Sequence, residues 1–367
     1  MSARCLRSLV TSRERRVDQN QGQDQDQSRS IVFDRDEYTC QHCGQASDDA
    51  SLRALAVDDL VTGSATKTDP NVATESGHVS TFTTVCAPCA AVLDGDGTTE
   101  GAVEQTQEIE KAISADTEAP MTSEQLFTLV RETTQQQGET VSDVAAFASL
   151  TTTLPAKIAD AGAANNESKS GSTVDDSSET DSEDSEDSEN SEDTERVEAN
   201  PTTALAETAQ QFVATRRSLL LAIASVDQRL TRLDELEYDA ATATGDTNPG
   251  DQTPAFAAFL ETATELQETL RGLVSLAEQV TAGLGRCHGC FGGLSESAIP
   301  VTPTACPTCG RTSAETSEWQ QSAADSTTVD FERLFSALND ALREASATTE
   351  RLTDRTTALA TELVAAQ

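Results

Sequence analysis

Lysine, histidine and aromatic residues are scarce in this chain of 367 residues. Aromatic residues make up 4% of the sequence, histidine occurs three times, and lysine occurs only at Lys67, Lys111, Lys157 and Lys169. Surfaces that bind nucleic acids usually combine basic side chains with aromatic rings on which bases stack. The sequence contains little of this combination, so the composition gives only thin support for a nucleic-acid partner.

Acidic residues, in contrast, are abundant. The chain has 63 Asp and Glu against 25 Lys and Arg, which gives a net charge of −38. The excess is spread along the whole chain, a pattern typical of proteins that work in molar salt. At 1 M salt the Debye length is about 3 Å, so surface repulsion is screened and phosphate binding is weakened as well. The net charge therefore neither supports nor excludes DNA as a partner.

Long apolar runs are absent as well. No segment approaches the roughly 18 apolar residues of a membrane-spanning helix, and the N-terminus lacks the apolar core of a signal peptide. Eight of the nine cysteines form four C-x-x-C pairs and Cys5 is left over, which favours metal binding over disulfides and a reducing compartment. We therefore expect a cytoplasmic protein without a membrane partner.

The first two cysteine pairs are Cys40/Cys43 and Cys86/Cys89. A structural zinc ion takes four soft ligands in a tetrahedron, and each C-x-x-C turn presents two thiolates. One such pair could equally be a redox dithiol. Two pairs in one short segment predict a structural zinc site.

The residues around these pairs follow a recognisable order. The segment F-D-R-D-E-Y-T-C-Q-H-C-G is followed by V-D-D-L and then by V-C-A-P-C, all within residues 31–94. This arrangement resembles the HNH endonuclease family, whose members open with R-D-x-Y-x-C-x-x-C-G and close with a second C-x-x-C. The resemblance implies a zinc-bound α+β (ββα) domain over residues 30–97 and metal-dependent hydrolysis of phosphodiesters.

The catalytic positions of this stretch depart from the family. The family's His falls on Asp59, its Asn on Thr81 and its closing His on Asp94. An Asp with a pKa of about 3.9 is a weak base at neutral pH, where the family uses a His base and a divalent metal. Asp58, Asp59 and Asp94 still offer oxygen ligands of the kind that Mg²⁺ takes. A degenerate site and an altered active site both remain open.

Two histidines of the same stretch have alternative interpretations. His78 lies near the position of the family's Asn, so it is either a substitute base or ligand or an ordinary loop residue. His42 lies between the cysteines of the first pair, where exposed polar residues are usual. We favour the ordinary role for both.

The remainder of the chain is divided by an acidic tract. Residues 1–29 are predicted to form a polar tail that contains several arginines. This tail is either an unstructured leader or a basic arm that contacts phosphates. Residues 98–160 carry a helical segment. Residues 161–200 are mostly Ser, Glu and Asp, and such a composition predicts a disordered linker because it cannot bury enough apolar surface to fold. An acidic interaction tail that mimics nucleic acid is the alternative.

In residues 201–367 apolar side chains recur every three or four residues in three segments, which predicts an antiparallel three-helix bundle or coiled coil. Alanines and Thr356 in the apolar seam leave the core thin and suggest a partner or self-association. Between the second and third segments, residues 286–311 carry four cysteines at the spacing of a zinc ribbon. These cysteines are Cys287, Cys290, Cys306 and Cys309. The neighbouring glycines are predicted to supply the positive φ of the turns. They are Gly289, Gly292, Gly293 and Gly310.

The sequence thus predicts two structural zinc ions and leaves three functions open. The first is a catalytically degenerate, HNH-like module that binds nucleic acid, with DNA as one candidate partner and the choice between DNA and RNA left open. The second is an active endonuclease with an altered site, which alone would need Mg²⁺ or a similar ion. The third is an adaptor that binds proteins through the zinc ribbon and the helical bundle. Loss of the His counts against the enzyme, and we prefer the first.

Overall fold

The computed structural model of the chain describes residues 27–46, 51–61, 78–93, 122–170, 201–235, 253–294, 303–323 and 326–365. Most of the predicted polar tail and of the predicted acidic linker lies outside these residues, and so do Cys5 and Asp94. The described residues are mainly helical and contain two antiparallel sheets of two strands each. No helix among them is both long enough and apolar enough to cross a membrane.

The described residues between 27 and 93, which we call the N-terminal unit, have an α+β structure. Their elements are α1 (27–35), β1 (Leu52–Ala56), α2 (Val57–Val61), β2 (Phe82–Cys86) and α3 (Ala87–Leu93). The two strands are antiparallel, with Leu52 opposite Cys86 and Ala56 opposite Phe82. Apolar side chains of the strands and of α1 and α3 form a small core. The predicted α+β class is therefore confirmed, whereas the HNH-like arrangement stays a prediction.

Four long helices form the largest part of the molecule. They are α4 (Ser123–Ser170), α5 (Pro201–Glu235), α6 (Pro254–Gly283) and α7 (Phe331–Ala365). Helix α4 packs against the other three, α5 packs against α6, and α6 packs against α7. One continuous apolar cluster joins all four helices. The bundle therefore has four helices, where the sequence predicted three and left 98–160 as a separate helical segment.

Helix α4 is the element that changes the predicted architecture. It runs through Gly138 and Pro155 and continues to Ser170, beyond the expected start of the linker. Packing of its apolar face overrides the weak helix propensity of these two residues. Thr356 of α7, a weak position in the predicted seam, is hydrogen-bonded to Thr134 of α4 with 2.8 Å between the hydroxyl oxygens. The fourth helix therefore covers part of the thin core that the sequence indicated.

The chain between α6 and α7 forms two small structures. The first is the cysteine ribbon, which we define as residues 286–294 and 303–313. The second is an antiparallel hairpin of β3 (Gln320–Ala323) and β4 (Ser326–Val329), which leads directly into α7. The hairpin was not predicted, because each strand is only four residues long and β3, with the sequence Gln-Gln-Ser-Ala, has no β-branched or aromatic residue to mark a strand.

The N-terminal unit rests against the bundle. Leu221 and Ala224 of α5 belong to the buried cluster that forms the core of the N-terminal unit. Helices α2 and α3 both contact α5 as well. The two halves of the chain, separate in the sequence, are therefore in direct contact.

Candidate metal centres and their junction

The first four cysteines come from three different elements of the N-terminal unit. Cys40 and Cys43 lie in the turn after α1, Cys86 is the last residue of β2, and Cys89 lies in the first turn of α3. The turn between Cys40 and Cys43 is closed by a hydrogen bond from the Gly44 amide to the Cys40 carbonyl, 2.8 Å long. Gly44 has a φ of 72°, a conformation that glycine adopts without steric cost.

The geometry of this first cluster fits zinc better than disulfides. The four Sγ atoms lie within 4.8 Å of one another, and those of Cys43 and Cys86 are 3.9 Å apart. A tetrahedron with Zn–S bonds of about 2.3 Å has sulfur–sulfur edges of about 3.8 Å. A disulfide would require about 2.05 Å, and all four cysteines are free thiols. The cluster thus has the spacing of a zinc site.

The second cluster, in the cysteine ribbon, has the same spacing. The Sγ atoms of Cys287 and Cys309 are 3.5 Å apart, and those of Cys290 and Cys306 are 3.7 Å apart. An isolated β-bridge spans each of its two turns, as one also does across the first turn of the N-terminal unit. Together the eight predicted cysteines form two groups of four, which suggests that the protein binds two structural zinc ions.

The electrostatics of the clusters also favour a bound cation. Zinc is held by thiolates, so its binding must release protons from these groups. A hydrogen bond with Cys89 lowers the pKa of Cys40 to about 4. Burial raises the pKa of Cys86 to about 11 and that of Cys290 to about 12. Burial also opposes ionisation of Cys306, but backbone amides of Cys309 and Thr308 lower its pKa to about 7. A divalent ion supplies the positive charge that crowded thiolates lack.

One expectation about the glycines of the ribbon is wrong. Gly310 has a positive φ of 72°, whereas Gly289, Gly292 and Gly293 do not lie in the left-handed region. In the first ribbon turn that conformation belongs to Phe291, with a φ of 58°. The strain is offset by burial, since the Phe291 ring packs against Phe212 of α5 with 5.7 Å between ring centroids. Phe291 therefore fastens the ribbon to the bundle core.

The two histidines of the N-terminal unit have structural roles, of which that of His78 is local and that of His42 is not. His78 begins a short turn, and its Nδ1 accepts a hydrogen bond from the Ser80 amide at 3.2 Å. His42 lies between the N-terminal unit and the bundle. Its ring nitrogens lie 3.2 Å from the Cys89 Sγ and 3.0 Å from the Ser225 Oγ of α5. His42 thus connects the first cysteine cluster to α5.

The acids at the family's catalytic positions do not form one site in the described residues. Asp58 and Asp59 are successive residues of α2, so their side chains diverge. Asp59 is exposed. Asp58 is only 15% exposed and pairs with Arg216 of α5 and Arg311 of the ribbon. Burial alone would raise the pKa of Asp58, but these two guanidinium groups lower it.

Asp58 belongs to a partly buried cluster that the sequence did not indicate, which we call the junction cluster. Its members are Asp58, Arg216, Glu278 of α6, His288 and Arg311. Arg216 is only 3% exposed and donates from its Nε to the Glu278 carboxylate at 2.7 Å. These residues come from the N-terminal unit, two bundle helices and the ribbon. No local pattern marks them, because their contacts depend on how distant segments pack.

The junction cluster is close to electrical neutrality without a metal. Two carboxylates face two guanidinium groups, and burial lowers the pKa of His288, which favours its neutral form. Oxygens of Asp58 and Glu278 and a nitrogen of His288 lie within 4.8 Å of one another. An added cation, however, would meet Arg216 and Arg311 at the same carboxylates. A cavity of about 160 Å³ adjoins the cluster.

Comparisons of the chain with protein-family models, with curated proteins and with solved structures found no match. The resemblance to the HNH family therefore stays an interpretation of residues 31–94.

Proposed function

We propose that the protein is a non-enzymatic, zinc-stabilised scaffold that binds other proteins. In this proposal the HNH-like unit and the zinc ribbon are structural parts fixed to the helical bundle. The observation that carries it is the engagement of Asp58 by Arg216 and Arg311. A carboxylate held between a buried and a partly buried guanidinium group is poorly available to a catalytic metal or to a phosphodiester.

The packing around Asp58 supports the same conclusion. Asp58 lies on α2, and α2 packs against α5. An endonuclease needs open space beside its catalytic group for a duplex. A single exposed acid, Asp59, is left on α2, and one carboxylate supplies neither a strong base at neutral pH nor a complete coordination shell. A magnesium-dependent activity has no support from these residues.

The arginines favour a protein partner over DNA. Seven of the fifteen described arginines, just under half, form ion pairs with carboxylates of the same chain. Phosphate binding depends on basic groups that can neutralise the nucleic-acid backbone. A guanidinium already paired with a carboxylate must give up that pair to contact a phosphate. The adaptor function predicted as the third possibility is therefore the one we prefer, and DNA binding is the competing proposal.

The test combines cleavage, binding and capture by the zinc-loaded full chain in multimolar KCl. Supercoiled plasmid with added Mg²⁺, Mn²⁺ or Ni²⁺ should stay uncut, and a labelled duplex should show no mobility shift. The immobilised zinc-loaded chain should retain proteins from a nuclease-treated extract and release them when zinc is chelated. Asp59→Ala is the test variant for catalysis, because Asp59 is exposed and is not a member of the junction cluster.

The outcomes separate the three functions. Metal-dependent nicking that Asp59→Ala abolishes would establish an altered endonuclease. A mobility shift without nicking would establish a nucleic-acid-binding module. Zinc-dependent capture of proteins, with neither nicking nor a shift, supports the scaffold. Loss of all three signals would contradict the proposed scaffold as well.

A further inference from the structure

We propose that the two cysteine clusters are coupled through the junction cluster. Zinc in the ribbon then stabilises the N-terminal unit, and zinc in the N-terminal unit stabilises the ribbon. The coupling contact is the ion pair between Arg311 of the ribbon and Asp58 of α2. Because the coupling free energy between two binding sites is the same in both directions, zinc bound at either site then raises the zinc affinity of the other by the same factor. This coupling is independent of which partner the protein binds.

The ribbon fixes the position of Arg311. Arg311 follows Cys309 closely, and its carbonyl accepts a hydrogen bond from the Cys306 amide at 2.7 Å. Its side chain crosses the first ribbon turn at Gly289, where an added Cβ would lie 2.7 Å from the Arg311 Cδ. The direction of the guanidinium therefore depends on both ribbon turns. Zinc holds those turns together, so loss of zinc should release Arg311.

The N-terminal unit fixes the position of Asp58 in a comparable way. Helix α2 follows β1 without an intervening residue, and β1 pairs with β2 along its whole length. The last residue of β2 is Cys86, a member of the first cluster. Metal binding that orders β2 therefore also orders β1 and the start of α2, the helix that carries Asp58.

The bundle supplies the other half of the junction cluster. Arg216 bridges Asp58 and Glu278, so Arg311 is the second cation for two carboxylates. Removing one partner from a buried ionic group leaves an uncompensated charge, which is strongly destabilising. Buried pairs are screened far less than surface pairs. The coupling should therefore persist in molar salt.

A second contact limits the size of the effect. His42 holds the first cluster to Ser225, and Gln136 of α4 also donates to the Ser225 hydroxyl at 3.1 Å. This contact does not involve the ribbon. Loss of the Arg311–Asp58 pair should therefore loosen the N-terminal unit without detaching it from α5.

The experiment measures amide hydrogen exchange in zinc-loaded full-length variants in multimolar KCl. Arg311→Gln keeps all eight cysteines and removes the ion pair. We expect the amides of residues 52–60 to exchange about tenfold faster, within the usual 5–150-fold range of coupling between sites. Arg286→Gln is the matched control, since Arg286 lies in the same ribbon, whereas the ion pairs of Asp58 within the described residues are with Arg216 and Arg311. It should leave the exchange unchanged.

A double-mutant cycle then links the effect to zinc. Cys306→Ser, which disables the ribbon site, should speed exchange in residues 52–60 as Arg311→Gln does. In an Asp58→Asn background, Cys306→Ser should produce no further increase there. Additive effects of the two changes would overturn the proposal, because they would show that the ribbon acts without Asp58.

Two further results would also overturn the proposal. One is unchanged exchange of residues 52–60 in Arg311→Gln, and this variant decides the question even if Cys306→Ser fails to fold. The other is a zinc content of three ions per wild-type chain that falls to two in Asp58→Asn. That result would make the junction cluster a cation site rather than an ionic contact.

Discussion

At the scale of single residues, the structure gives Arg35 and Asp36 a structural role. These residues open the motif that resembles the HNH family. Arg35 donates to the carbonyls of Val79 and Phe82 at 2.7 and 2.8 Å, and it pairs with Asp36. Asp36 accepts a hydrogen bond from the Thr84 amide at 2.9 Å. The two side chains therefore connect the end of α1 to β2 and hold the first cysteine turn beside the sheet.

We predict that Asp36→Asn destabilises the N-terminal unit by about 1.5–3 kcal/mol, the usual worth of hydrogen bonds to a charged group. Burial opposes ionisation of Asp36, but the bonds from Arg35 and Thr84 lower its pKa overall. Because the pKa of Asp36 is lower in the folded state, the ionised carboxylate stabilises the fold at pH values above its unfolded-state pKa of about 3.9. This stabilisation is lost as the pH falls through the folded-state pKa.

The decrease in the free energy of unfolding caused by Asp36→Asn should therefore be constant between pH 6 and 8. Denaturant unfolding of zinc-loaded protein at several pH values measures it. Asp34→Asn is the control, because the Asp34 carboxylate accepts an exposed hydrogen bond from the Tyr38 hydroxyl and does not connect α1 to β2. Equal losses in the two variants, or a loss that grows from pH 6 to 8, would contradict this account.

Residues close in sequence were the easiest to predict. The cysteine spacings indicated both groups of four, since each turn is a local structure. The junction cluster was not predictable, because Arg216, Glu278 and Arg311 meet Asp58 only through tertiary packing. Phe291 was missed for a related reason. Only the contact with Phe212 explains why a bulky residue takes a conformation that usually favours glycine.

At the scale of elements, the bundle has a buried polar layer. Gln137 of α4 is buried and donates to the Ala263 carbonyl of α6 at 2.9 Å. Gln267, one turn further along α6, is only 1% exposed, and neither amide atom of its side chain has a hydrogen-bond partner within the described part of the chain. An unsatisfied buried amide is costly, so this position stabilises the fold less than an apolar residue of similar size would.

We predict that Gln267→Leu raises the free energy of unfolding by about 1–3 kcal/mol, the cost of an unsatisfied buried polar group. Thermal and denaturant unfolding of zinc-loaded protein measure the gain. Gln137→Leu is the matched control and should gain less, because it also removes the hydrogen bond to Ala263. Destabilisation by Gln267→Leu would instead mean that an internal water or a bound partner satisfies the amide.

The number of bundle helices was harder to predict than their existence. Apolar periodicity indicated a helical segment within 98–160 and three helices beyond the acidic tract. Periodicity shows that a helix has an apolar face but not which other helix covers it. Only the packing of Leu126, Val130 and Phe147 against the rest of the core makes α4 the fourth member.

At the scale of the whole molecule, the surface charge and the buried charge behave differently. The net charge of −38 means that acidic side chains repel one another over the surface of the protein. Glu350 and Asp354 on α7 illustrate it, since both are exposed and lie one helical turn apart, a spacing at which like charges repel. The junction cluster is instead neutral as a group and largely shielded from solvent, because its two carboxylates face Arg216 and Arg311. Added salt should therefore relieve the surface repulsion and leave the junction cluster intact.

We predict that the Tm of the zinc-loaded protein rises with KCl, steeply up to about 1 M and weakly above it. The reason is that the Debye length falls from about 10 Å at 0.1 M to about 3 Å at 1 M, after which little repulsion is left to screen. A gain of a few kcal/mol would correspond to a shift on the order of 10 °C. Circular dichroism melts at constant pH and zinc concentration measure it.

A charge-removed variant distinguishes screening from other effects of salt. Glu350→Gln/Asp354→Asn should melt higher than the wild type in 0.1 M KCl and at the same temperature in 3 M KCl, because screening and removal of charge relieve the same repulsion. A Tm that climbs evenly to 4 M KCl in both proteins would instead indicate that exclusion of salt from the protein surface strengthens apolar burial. In that case the acidic surface would not be what makes stability depend on salt.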